Sequence, residues 1–253
     1  MRILFLGNNW VGWQVLHWLK EQREEVVGVV LHPPHKRTYG QEILASGPLN
    51  PGRIFDGSKL HEAETIDAIR TLQADIALSV LFDYLLRPEF MGLFPRGVIN
   101  LHPAPLPYNR GQHPNIWSII EGTPAGVTLH YIDDGIDTGD ILAQQEVLVE
   151  PVDTGESLYR KLERVAVALF QKTWPQIKAG QVVRIPQDGQ VATSHRTRDV
   201  EAIDEIDLNR AYRARDLLNL LRARTFPPYK GAYITVDGKR IYLRLQLTYE
   251  EKL

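Results

Sequence analysis

The chain has 253 residues, a net charge of −2, 43% hydrophobic and 24% charged residues, and no cysteine. That length suits one large or two small domains, and the composition is that of a globular protein. The near-neutral charge gives no basic field for nucleic acid, and the lack of cysteine excludes disulfides and thiolate chemistry and leaves any zinc site to His and carboxylates. The apolar run at 3–6, closed by Gly7, is too short for a signal peptide. No later run approaches the ~18 apolar residues of a membrane span. A cytoplasmic enzyme or binding protein is the expectation.

Residues 2–6 predict a buried first strand, and Gly7-Asn8-Asn9-Trp10-Val11-Gly12 a turn into a helix. Val11, Val15, Leu16 and Leu19 give that helix one apolar face. The unit resembles a Rossmann opening, but Asn9 takes the place of the middle glycine of a dinucleotide fingerprint. No Lys-Ser/Thr follows Gly12, so it is not a P-loop. The turn is either structural or a loop whose Asn8, Asn9 and Trp10 touch a ligand at the helix N-terminus. Residues 25–31 predict a second buried strand. From 33 to 55, Pro33, Pro34, Gly40, Gly47, Pro48, Pro51 and Gly52 predict a long loop without regular elements. His32 and His35 stand at its start without a third metal ligand nearby.

A helix is predicted over 60–72 and a third strand over 75–80. The cluster at 81–86, Leu-Phe-Asp-Tyr-Leu-Leu, follows at a strand end and suits either core packing or an apolar ligand wall. A central strand is expected at 97–101, a helix over 114–120 ending near Gly122, strands at 126–131 and 140–149, and a helix over 156–179. That last helix carries Leu158, Leu162, Val165 and Leu169 on one face and is closed by Gly180. From about 182 the rhythm changes. A helix is predicted near 208–224, and Asp237-Gly238 between 232–236 and 239–245 predicts a hairpin. Seven Arg and six acidic residues alternate between His195 and Arg224, a mixed solvated or interface face. The expectation is an α/β fold: a catalytic domain at 1–182 on a mostly parallel sheet, then a smaller α+β module at 183–253.

The chemistry concentrates at 97–139. Alternation puts Asn100 and His102 on one face, and Pro103, Pro105 and Pro107 force the chain out of the sheet directly after them. In an open α/β sheet the carboxyl ends of the strands are where ligands bind. The glycine-bounded loop at 133–139 offers Asp133, Asp134 and Asp137, any of which can bring a carboxylate to the imidazole. A carboxylate favours the charged imidazole, and an amide NH₂ can stabilise an oxyanion. With no Cys anywhere and no Ser in this motif, the set favours transfer to a nucleophile that the substrate brings, such as an amine.

These residues carry a resemblance. Asn100-Leu101-His102-Pro103-Ala104-Pro105-Leu106-Pro107, then Gly126-Val127-Thr128-Leu129-His130, then Asp134-Gly135-Ile136-Asp137-Thr138-Gly139-Asp140-Ile141 resemble the motifs of the 10-formyltetrahydrofolate-dependent formyltransferases over roughly residues 1–180. The departure is Ala104-Pro105, where Ser-Leu is frequent; it leaves the three catalytic positions untouched. The resemblance implies a Rossmann-like formyltransferase fold and a catalytic set of Asn100, His102 and Asp137. It implies a folate site at Phe82, Asp83, Tyr84, Leu85 and Leu86 and at Asp133, Asp134, Gly135 and Ile136, with no metal.

Within the family, residues 107–111 with 114–117, 195–199 and 222–229 look most like the sugar N-formyltransferases. The implied acceptor is a nucleotide-linked amino sugar of surface-glycan synthesis, with Asn9, Trp10, Tyr108, Arg110, Phe226 and Tyr229 as its contacts. Phe226 and Tyr229 equally suit a packing role. A homodimer through the C-terminal module is expected, with no nucleic-acid or membrane partner. Two alternatives stand beside this. A methionyl-tRNA formyltransferase usually carries a longer, basic C-terminal domain. A formyltetrahydrofolate hydrolase normally carries an N-terminal regulatory domain, whereas this chain starts directly at a strand.

Overall fold

The structure, a computed structural model, describes residues 1–47 and 50–250. Its contacts group into two units. The first comprises Met1–His102, Thr128–Gln144 and Glu163–Gln187; the second comprises Pro103–Val127, Gln145–Leu162 and the residues from Asp188 onward.

The chain begins with β1 (Arg2–Gly7), α1 (Asn9–Glu21), β2 (Glu25–Leu31), α2 (Gly40–Ser46), β3 (Ile54–Asp56), α3 (Ala63–Thr71), β4 (Ile76–Val80), α4 (Pro88–Met91) and β5 (Val98–His102). It continues through β6 (Arg110–Gly111), α5 (Pro114–Glu121), β7 (Ala125–Tyr131), β8 (Ile141–Val147) and α6 (Gly155–Ala179). The remainder holds β9 (Ser194–His195), α7 (Thr197–Ile203), α8 (Ala214–Ala223), β10 (Tyr233–Val236) and β11 (Lys239–Tyr242).

Among the described residues the main sheet has the order β3-β2-β1-β4-β5-β7-β8. Pairings from β3 through β5 are parallel, and β7 runs antiparallel to β5. This is the mostly parallel, Rossmann-like sheet that the strand–helix rhythm predicts. The strand order reverses between β1 and β4, the kind of crevice where such sheets bind ligands. Strands buried on both faces read as near-continuous apolar runs, and β1 and β4 do, with Arg2 at the start of β1 and Ser79 in β4 the polar residues. Leu4, Leu6, Val27 and Val30 share a core with Ile69 of α3, Phe90 of α4 and Val98. Each such side chain contributes about 1.5–3 kcal/mol when fully buried. Elsewhere in this unit Trp18 of α1 meets Phe170 of α6 edge-on at 5.9 Å. Trp174, stacked on Phe170, donates its indole N–H to Glu24 at 3.1 Å.

Several boundaries differ from expectation. The stretch at 33–55 is not devoid of regular elements: it holds α2, a 3₁₀ turn at Pro51–Arg53 and β3. The glycines that argue against a helix sit at its edges, Gly40 at the first position and Gly47 just past the last, where glycine does little harm; Ile43 is fully buried. Pro48, another of the predicted breakers, lies outside the described residues. The helix expected at 60–72 starts later, at Ala63, after a 3₁₀ turn at Gly57–Lys59. The helix expected near 208–224 is the shorter α8, and α7 precedes it, its start closed by the Arg196 amide donating to Asp199 at 2.7 Å. The hairpin forms as predicted, with Asp237 and Gly238 both at positive φ, as a tight I′-type turn requires.

In the second unit α5 packs against α8. Arg222 of α8 is buried, and its guanidinium donates to the carbonyls of Glu150, Pro151 and Asp153 at 3.0–3.2 Å. Burial pushes the Asp153 carboxyl up, but hydrogen bonds from Lys161, the Glu150 amide and Ser157 outweigh it and hold the carboxyl below its usual range. A depressed carboxylate stabilises the fold above its unfolded pKa, and that gain disappears as pH falls through the folded value. Asp153→Asn is therefore expected to lower stability by about 1–3 kcal/mol at pH 7. In urea unfolding, its deficit against wild type should narrow below about pH 4.

Candidate active site

β5 ends at His102 because Pro103 has no N–H for the ladder. Asn100 and His102 share a face, and β7 lies alongside with Asn100 opposite His130 and His102 opposite Thr128. His130 is 1% exposed. Its Nδ1 lies 2.8 Å from the carbonyl oxygen of Tyr131. A carbonyl only accepts, so Nδ1 carries the proton and the neutral ring presents a lone pair at Nε2. Asn100 Nδ2 donates to that lone pair at 3.1 Å, which fixes the amide with its NH₂ turned into the site.

The same NH₂ is 3.5 Å from Asp137 Oδ1, and His130 Nε2 is also 3.5 Å from that oxygen. The other oxygen, Oδ2, is 3.6 Å from His102 Nδ1. Asp137 thus stands between both histidines and the amide. The 3.6 Å to His102 is a distance of charge attraction rather than of a short hydrogen bond. Both His102 and the Asp137 carboxylate are largely shielded from water, which strengthens that attraction.

Within the loop from 133 to 139 the three aspartates differ in geometry. Asp133 accepts from the Gly135 amide at 3.1 Å and from Thr138 Oγ1 at 2.5 Å, so it builds the turn. Asp134 is exposed. Asp137 points to the histidines from a left-handed backbone, φ 53°, a conformation an aspartate tolerates better than most residues. Gln187 holds it there by donating to the carbonyls of Asp137 at 2.9 Å and Gly139 at 2.7 Å. A Cβ on Gly139 would lie 2.0 Å from the Tyr131 carbonyl oxygen, so only glycine closes this loop.

The residues assigned to a folate divide. Phe82 packs against the core cluster that contains Leu86 and Val98, and so does Ile132, next to Asp133. The first proposed folate segment and the residue before the second therefore share one apolar cluster. Leu85 is 77% and Ile136 58% exposed, while Tyr84 is half-buried. Asp83 donates its amide to His32 at 3.3 Å. Asp133 also borders a cavity of about 370 Å³ with Phe94, Arg96, Tyr131, Asp140 and Arg184.

Of the residues assigned to an acceptor, Asn9 uses its side-chain oxygen on the Val11 amide at 2.9 Å, and Trp10 follows it in the first turn of α1. In the second unit Tyr108 precedes β6, and Arg110 lies in β6, which pairs with β9. Phe226 and Tyr229 touch each other with ring centroids 5.2 Å apart, and Phe226 also contacts Tyr159 and Arg160. Among the described residues no cluster of His, Asp and Glu is arranged to hold a metal, and no helix is long and apolar enough to cross a membrane.

Sequence reasoning does not assign His130 or Gln187 to the site. His130 had a signal: alternation on β7 and its place opposite Asn100. Gln187 had none, because it arrives from a segment distant in sequence.

Residues 1–173 match the "Formyl transferase" family, and residues 199–249 match the "N-formyltransferase dimerization C-terminal domain" family. Over 249 residues the chain is 32% identical to the methionyl-tRNA formyltransferase of Geotalea daltonii, covering 95% of this chain and 78% of that protein. Among solved structures it resembles a 4-N formyltransferase from Francisella tularensis, with TM-score 0.85, 25% identity and 98% of each chain covered. It also resembles the formyltransferase PseJ from Anoxybacillus kamchatkensis, solved with UDP-4,6-dideoxy-4-formamido-L-AltNAc and tetrahydrofolate, with TM-score 0.58, 30% identity, and 80% and 89% of the two chains covered. The chain belongs to the formyl transferase family. It is a formyltransferase enzyme, and in overall structure its likeness is to the sugar N-formyltransferases.

Gln187→Leu removes both anchors of the Asp137 segment. Steady-state kinetics should show formyl-transfer turnover reduced by about tenfold, since small misplacements of a reacting group are costly. The melting temperature should hardly move.

Proposed function

We propose that this enzyme transfers a formyl group from 10-formyltetrahydrofolate to the amine of a nucleotide-linked amino sugar. The observation that carries the sugar reading is the end-to-end likeness to a 4-N formyltransferase, 98% of each chain, which includes the C-terminal segment. PseJ, solved with a UDP-linked formamido sugar and tetrahydrofolate, supports the same acceptor class and donor. The apolar cluster joining Phe82, Leu86 and Ile132 suits the face of a flat pterin ring.

In this reading the acceptor amine attacks the formyl carbon. The carbonyl oxygen becomes an oxyanion, which the Asn100 NH₂ and the protonated His102 stabilise. Asp137 favours the charged form of His102 and receives the amine proton, directly or through water. The bond from carbon to N10 then breaks, N10 takes up the proton that the amine released, and the products are a formamide and tetrahydrofolate, with Asp137 ionised again. His130 keeps the Asn100 NH₂ turned inward. Positioning and fixed dipoles supply most of the rate. Residues 1–182 perform this transfer, and 183–253 serve the acceptor side and a homodimer, in line with the dimerization family matched at 199–249. Arg110 offers a bidentate partner for a diphosphate, and Phe226 and Tyr229 offer rings for a base.

A second reading is formylation of methionyl-tRNA, favoured by the 32% identity to such an enzyme over 95% of this chain. One experiment separates them. The protein is incubated with 10-formyltetrahydrofolate and dTDP-, UDP-, GDP- and CMP-linked amino sugars, with methionyl-tRNA in parallel, and products are weighed by mass spectrometry. A formyl gain on one sugar is expected. Product only on the tRNA sinks the sugar reading and leaves the transfer site standing. Asn100→Ala and His102→Ala are each expected to lower turnover by about 10²–10³-fold, the usual scale for losing an oxyanion donor or an acid–base group.

A further inference from the structure

His32 directly follows β2, is 1% exposed, and lies against the segment after β4. Its ring is tilted against Phe82 and Tyr84 at centroid distances of 4.9 and 5.2 Å. Its Nε2 accepts the Asp83 amide at 3.3 Å. An amide N–H only donates, so Nε2 holds a lone pair and the neutral ring carries its proton on Nδ1. That Nδ1 is buried without a hydrogen-bond partner among the described residues, a state that costs stability and needs a reason. Burial pushes the imidazole pKa down and keeps the ring neutral. The Asp83 carboxylate at 3.7 Å and Asp56 pull the other way, and Lys36 and Arg37 add to the lowering.

The segment this ring holds is itself constrained. Leu81 has φ 49°, a left-handed conformation unfavourable for leucine. The Phe82 ring lies on the bare α-carbon of Gly57, where a Cβ would be 2.6 Å from its tip. A strained turn persists only where surrounding contacts over-determine it. Here those contacts are the His32 acceptor, the rings and Gly57.

We propose that His32 is a positioning residue for the formyl donor: through the Asp83 amide and the faces of Phe82 and Tyr84 it seats the 82–84 segment, and so sets the affinity for a reduced folate. This rests on the reading that residues 82–86 line the folate. A histidine serving only the core would weaken the fold without discriminating between donor and acceptor.

The test compares His32→Phe, which keeps an aromatic ring and removes the acceptor, with His32→Gln, which returns an acceptor at the distal position. Binding of 5-formyltetrahydrofolate is measured by calorimetry, and KM for donor and acceptor and kcat by steady-state kinetics. His32→Phe is expected to weaken folate binding and raise donor KM by about tenfold, the scale of one lost hydrogen bond that organises a site. Acceptor KM and saturated kcat should stay at wild-type values, and His32→Gln should recover most of the donor affinity. Equal behaviour of the two variants overturns the proposal, as does an acceptor KM that rises in step. A His32→Phe protein that does not fold while His32→Gln does assigns the residue to core stability and also overturns it. Wild-type protein that binds no 5-formyltetrahydrofolate defeats the folate reading itself, a result distinct from wild-type binding that His32→Phe leaves unchanged.

Discussion

A backbone carbonyl cannot donate a hydrogen bond, and the polarity of this site follows from that fact. The Tyr131 carbonyl takes the Nδ1 proton of His130 at 2.8 Å. The lone pair then falls at Nε2, and the Asn100 amide must turn its NH₂ inward to meet it. An amide turned the other way would set an oxygen against a lone pair. The orientation of a group suited to an oxyanion is thus settled two steps away, by main chain, inside a sheet that cannot shift without breaking its ladder. His130 does this from a position 1% exposed, where water cannot offer alternatives.

The fold is what makes that relay available. A fully parallel sheet would place beside β5 a strand arriving through a long crossover. Here β7 returns antiparallel, and directly opposed residues of antiparallel strands sit close enough for side chains to bond. The pairing of Asn100 with His130 is such a contact. The strand next to β5 therefore supports the candidate site as well as extending the sheet. The loop it feeds brings Asp137 back to the same face within one excursion.

Much of this was legible in the sequence, for definite reasons. Period-two alternation placed Asn100 and His102 on one face, and three prolines marked where the strand had to end. The Asp237-Gly238 turn was readable because few residue pairs adopt its backbone comfortably. What escaped was decided by tertiary packing. Gly40 and Gly47 read as breakers when they bound α2, because composition does not distinguish a glycine at a helix edge from one inside it. Spacing left Asp133, Asp134 and Asp137 equivalent; the difference lies in which carboxylate its own loop consumes, and Asp133 is consumed by Thr138 and the Gly135 amide. Gln187 could not have been found, since a side chain that bonds main-chain carbonyls leaves no pattern in its neighbours.

Gly139 closes on the Tyr131 carbonyl so tightly that no side chain fits between them. The excursion bearing Asp137 is thereby a buckle of fixed length. An inserted residue has nowhere to go except into the angle at which the carboxylate leaves the backbone. A Cβ at Gly189 or Gly238 meets no atom within 4 Å. Length is thus held fixed across the segment from 131 to 139 and is not held by side-chain room at these outer turns.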